Sequence, residues 1–148
     1  MACLALLLAS CGGPVAVDVP DLTGSTARIC SKLVSTLPDT VDGAERRGVE
    51  PAGGPAAAWG DPAIVLRCGV EMPRSFDDFA TCQETNGVGW FIPDEQMTGA
   101  ATEITMTTIG RDVNIEVSLP VEHFPPANAM VDLSAAIERT TEEIDPCV

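Results

Sequence analysis

Apolar and polar positions alternate most strictly at Val113, Ile115, Val117 and Leu119. A period of two predicts a strand with one buried face over 113–119. An apolar stretch over 101–109 precedes it, and Gly110-Arg111-Asp112 between the two predicts a hairpin turn. Ile64, Leu66, Cys68 and Val70 repeat the pattern, with Val65 and Arg67 facing the other way. Residues 63–70 are therefore expected to form a core strand, launched by the turn Gly60-Asp61-Pro62. A second hairpin is predicted over 82–92, folded at Asn86-Gly87, a strong two-residue turn signal. The spacing becomes helical over 23–37, where Ala27, Cys30, Val34 and Leu37 share a face. Thr23 or Ser25 would cap that helix and Pro38 would end it. It becomes helical again over 128–140, with Met130, Leu133 and Ile137 inward after Pro125-Pro126.

The remaining segments are shorter. Val15, Val17 and Val19 alternate ahead of Pro20 and predict a brief edge strand. Residues 39–45 read as a turn centred on Asp42-Gly43, and Arg46-Arg47-Gly48-Val49 begins a strand. Residues 50–58, rich in Pro, Gly and Ala, read as a flexible surface loop. The sum is an α+β domain: a small, mainly antiparallel sheet with two helices packed against it.

The first residues follow another logic. Residues 2–8 are apolar and uncharged and lead into Leu8-Ala9-Ser10-Cys11. The run is far shorter than the ~20 apolar residues that span a bilayer. Its small residues before a cysteine resemble the lipobox of bacterial lipoproteins, in which a lipidated cysteine becomes the mature N-terminus. No Lys or Arg precedes the run, so the translation start is expected upstream. The division expected is a signal peptide over 1–10, a lipidated tether over 11–21 and one domain over 22–148.

Export changes the reading of the cysteines. With Cys3 in the signal and Cys11 lipidated, Cys30, Cys68, Cys82 and Cys147 remain. In an oxidising compartment four cysteines predict two disulfides, with three pairings open. The pairing expected is Cys68 with Cys82 as a local staple, and Cys30 with Cys147 as a clasp. Zinc is disfavoured, because no CxxC pair exists and His123 is the sole histidine. The acidic run Asp39, Asp42, Glu45 lacks the spacing of an EF-hand loop and reads as a solvated turn. No metal or cofactor is expected.

Charge narrows the partners. Eight basic residues stand against 22 acidic ones, a formal net charge of −14. That excludes a surface built for nucleic acid phosphates and a polybasic dock on anionic lipid. Membrane attachment would come from acyl chains on Cys11.

The string Ala58-Trp59-Gly60-Asp61-Pro62-Ala63-Ile64-Val65-Leu66-Arg67-Cys68-Gly69-Val70 is distinctive. With Leu37-Pro38, Arg46-Arg47, Asn86-Gly87-Val88-Gly89-Trp90 and Gly110-Arg111, it resembles the actinobacterial domain of unknown function 3515 family. The resemblance runs over 15–147 and implies a small exported lipoprotein of an actinobacterial envelope. It implies no activity.

Catalytic patterns are sparse. Neither Gly-x-Ser-x-Gly nor Ser-x-x-Lys occurs, and disulfide-bonded cysteines are not nucleophiles. His123 beside Glu122 could act as an acid/base pair, although a packing or surface role is expected. Asp77-Asp78 and Glu142-Glu143 are the paired carboxylates on which an envelope hydrolase would rest. The sharper candidate is a recognition site for an anion or peptide made by Trp59, Arg67, Trp90, Arg47 and Arg111. Its alternative is two tryptophans in the core and arginines paired with nearby acids. The function expected is a non-catalytic accessory or binding module on the outer face of the cytoplasmic membrane. Its partner would be an envelope protein or a small ligand.

Overall fold

In the computed structural model, which describes residues 12–77 and 79–147, the chain opens on the short strand β1 (Val15–Ala16). Helix α1 (Gly24–Thr36) follows, ending before Pro38 as expected. Cys30, Leu33 and Leu37 form its buried stripe, with Val34 only half-buried. The turn expected at Asp42-Gly43 joins two strands, β2 (Thr40–Val41) and β3 (Ala44–Arg47). Asp42 and Gly43 both have positive φ, 48° and 73°, the backbone of a type I′ hairpin turn. Next come β4 (Val49–Glu50), β5 (Ala56–Trp59) and the core strand β6 (Ile64–Cys68).

The first predicted hairpin is β7 (Cys82–Thr85) and β8 (Val88–Phe91), followed by a single helical turn α2 (Asp94–Met97). The second is β9 (Ile104–Ile109) and β10 (Ile115–Leu119). A 3₁₀ turn (Val121–His123) leads into α3 (Ala127–Thr140).

Eight strands make one sheet in the order β2-β3-β5-β6-β10-β9-β8-β7, and every neighbouring pair is antiparallel. β1 and β4 form a separate parallel pair. The segment 50–58 is only partly the loop expected. Ala56, Ala57 and Ala58 are buried in β5, because alanine lets a strand pass close beneath other chain. Composition hid it, since alanine carries little strand preference.

Alternation in β6 and β10 divides the sheet into two faces. Cys30 and Leu33 of α1 and Met130, Leu133 and Ile137 of α3 join Ile64, Leu66, Ile115 and Val117 in one core. On the opposite face the register sets Arg47 beside Ala58, and Arg67 beside Ala56 and Glu116.

Two disulfides are present, but the expected pairing is not. Cys68–Cys82 and Cys30–Cys147 are replaced by Cys30–Cys68 and Cys82–Cys147. The strand order explains why. Cys68 ends β6 and Cys82 opens β7, four strands away at the sheet edge. At about 4.8 Å per strand that is roughly 19 Å, far beyond the ~7 Å Cα separation a disulfide tolerates. The two also face opposite ways. Cys68 faces α1 and lies 5.5 Å from Cys30, Cα to Cα. Cys82 meets Cys147 on the other face, over Gly89, where a Cβ would approach the Cys147 Cβ to 3.1 Å.

Candidate functional site

The five residues expected to converge are placed apart. Trp59 and Trp90 are fully buried. Trp59 lies beneath the sheet at the end of α1, where its Nε1 donates to the Pro38 carbonyl at 3.0 Å. The Arg46 guanidinium sits 5.6 Å from the Trp59 ring centre. It donates to the carbonyls of Val34 at 2.9 Å and Leu37 at 3.1 Å. A cation from the neighbouring strand thus satisfies the open end of α1, a task that its own last turn, lacking any basic residue, leaves undone. Arg111 lies at the opposite end of the sheet, against Gly87 and Thr141.

Arg47 and Arg67 share the face away from the helices, and there they hold the N-terminal arm. Arg47 donates to Gly13 O and to Gly60 O, each at 2.8 Å, with Asp61 3.8 Å away. Arg67 pairs with Glu116 and donates to Asp18 O at 3.1 Å. Between these two anchors Val15 N donates to Gly48 O at 2.8 Å and Val17 N to Glu50 O at 2.9 Å. The Val17 side chain is buried. Of the edge strand expected from Val15, Val17 and Val19, the two residues Val15–Ala16 form a strand, and the segment expected as a tether is docked along the domain. An open cleft of about 430 Å³ remains beside it, between Gly12, Arg47, Gly60 and Asp61.

His123 takes Asp42 as its partner, not Glu122. Its Nδ1 lies 2.8 Å from Asp42 Oδ2, and the Asn128 amide donates to Asp42 Oδ1 at 2.9 Å. The Asp42 backbone N–H donates to Asp132 at 2.8 Å. An ionised carboxylate only accepts, so Nδ1 carries the proton and Nε2 faces Gly60. Among the described residues no hydroxyl or thiol hydrogen-bonds to this ring. The cluster pins the β2–β3 hairpin to the 3₁₀ turn and to α3. Sequence offered no signal for it, because 81 residues separate Asp42 from His123.

Burial alone would raise the Asp42 pKa. The hydrogen bonds from Asn128 and His123, with the attraction of His123, outweigh that and hold it below 3.8. A carboxyl with a lowered folded-state pKa stabilises the fold above its unfolded value, and this contribution is lost as pH falls through the folded value. Asp42→Asn should cost about 2 kcal/mol at pH 7, the scale of hydrogen bonds to a charged group. It should also flatten the loss of stability below about pH 4. Urea titrations at pH 7 and pH 3 check both, and an unchanged acid limb would count against the network.

Among the described residues no three His, Cys, Asp or Glu side chains converge as metal ligands. Glu142 and Glu143 are exposed on the C-terminal tail, and Asp77 is exposed in the loop before β7. Asp78 and Cys11 lie outside the described residues.

The model of the family described as Protein of unknown function (DUF3515) matches residues 4–146. The chain belongs to that family. No curated protein and no solved structure matches it. The DUF3515 match takes in the docked arm, the Cys30–Cys68 disulfide and the Asp42–His123 cluster, and ends one residue short of Cys147.

Proposed function

We propose that this DUF3515 protein is an exported lipoprotein of an actinobacterial envelope, held at the outer face of the cytoplasmic membrane by acyl chains on Cys11. Its domain acts as a non-catalytic accessory module that binds an envelope protein or a small ligand. One observation carries the reading: Leu8-Ala9-Ser10-Cys11 leads directly into a domain whose four other cysteines are joined as two disulfides. Disulfides persist in extracytoplasmic compartments and are rare in the cytosol. Among the described residues no helix is long and apolar enough to cross a membrane, so in this reading the acyl chains supply the attachment.

Growth with an alkyne-bearing fatty acid, followed by click labelling, tests the anchor. Wild-type protein should take the label and sediment with membranes. Cys11→Ala should lose the label entirely and leave the membrane fraction. Equal labelling of both, or of neither, would overturn the reading.

A further inference from the structure

The arm fixes where Gly12 lies on the domain. Arg46, Trp59 and Ile64 lie in register at one end of the sheet, as do Leu119 and Ile104. Arg47 binds Gly60 O in the turn at that end and Gly13 O in the arm. A Cβ built on Gly12 would lie 3.2 Å from the Arg47 guanidinium. The arm then runs along the outer face past Asp18, which Arg67 holds, to Leu22, which packs on Gly69 just beyond the other end of β6. Only Gly12 stands between Cys11 and the held carbonyl of Gly13. Two residues span at most about 7 Å.

Resting on the lipoprotein reading, we propose that the domain has no tether and sits with one fixed end against a lipid bilayer. The bilayer-facing end carries the Gly60-Asp61 turn and the 3₁₀ turn of Val121–His123. The Asn86-Gly87 and Gly110-Arg111 turns point away. Val121 on the 3₁₀ turn, 45% exposed, is an apolar side chain placed at this end. Asp61 and Glu122 share this end, so anionic headgroups offer it no attraction and the docked arm sets the orientation.

All the contacts described lie within 12–147, so a chain beginning at Cys11 retains them. Its Cys11 thiol, coupled to a maleimide lipid in phosphatidylcholine vesicles, supplies an anchor that does not depend on cellular lipidation. A clickable lysine analogue carries a donor dye at position 122 or at position 138, the latter beside Gly87. Acceptor dye resides in the headgroups. The ends of a five-residue strand are about 17 Å apart, so transfer from position 122 should exceed that from 138 several-fold. A flexible Gly-Ser insert of about 12 residues between Cys11 and Gly12 has a root-mean-square reach of roughly 20 Å and should equalise the two. Equal transfer without the insert, or a difference that survives it, overturns the proposal. Absence of fatty-acid label on Cys11 in cells would refute the lipoprotein reading alone, since the vesicle result does not depend on it.

Discussion

Replacing Cys30 and Cys68 together with alanine should remove about 4 kcal/mol of stability, given what a cross-link of this span withdraws from the unfolded chain. The span is 38 residues. Both cysteines are fully buried, and the bond fastens the middle of α1 to the end of β6. Leu33 and Leu66 occupy the same core, so losing the bond also loosens the packing of α1 on the sheet. Against a total of about 5–15 kcal/mol for a domain of this kind, that is a large share. The Cys82–Cys147 bond closes a longer span of 65 residues, and the entropy argument alone would rank it slightly higher. The native tail decides otherwise. Residues 142–146 are exposed, so without the bond the tail can fray while the core stays closed, and the measured loss should be smaller. Urea midpoints of the two double variants, taken without reductant, check the ranking. Peptide mapping under the same conditions should recover Cys30 joined to Cys68; a peptide joining Cys68 to Cys82 would contradict the strand order itself.

That pairing marks the line between what local sequence carried and what it did not. Val113, Ile115, Val117 and Leu119 are all buried on one face, and Asn86-Gly87 folds its hairpin, because each signal depends on residues two to four apart. Met130, Leu133 and Ile137 lie inward for the same reason. Strand order is a different kind of fact. It put β10, β9 and β8 between Cys68 and Cys82, which no spacing rule contains. The proposed Trp–Arg site failed on a similar point. A core of this size needed both indoles, leaving Arg46 to cap a helix, and Arg47 and Arg67 to hold an arm. Asp42 was legible as a turn residue and illegible as the partner of His123.

Arg111→Ala should destabilise the fold by about 3 kcal/mol, the cost of leaving buried carbonyls without a charged donor. Only 6% of Arg111 is exposed, and its guanidinium joins segments that are distant in sequence. Nη2 donates to Gly87 O in the β7–β8 turn. Nη1 donates to Thr141 O at 3.3 Å, just past the end of α3, where a cation also meets the negative end of the helix dipole. The backbone around it reinforces the junction. Gly110 O accepts from Ile144 N at 2.7 Å, Asp112 N donates to Glu142 O at 3.0 Å, and the backbones of Arg111 and Glu143 form an isolated antiparallel β-bridge. Removing the side chain should therefore release the tail first and the core second. Hydrogen exchange should show Glu142 and Ile144 losing protection in conditions where Ile115 and Val117 keep theirs. Arg111→Lys should recover less than half of the loss, because a compact ammonium cannot reach Gly87 and Thr141 with one planar fork. A change within about 0.5 kcal/mol of wild type, the range of ordinary surface substitutions, would mean that water satisfies both carbonyls and that Arg111 is not the bolt of this end of the sheet.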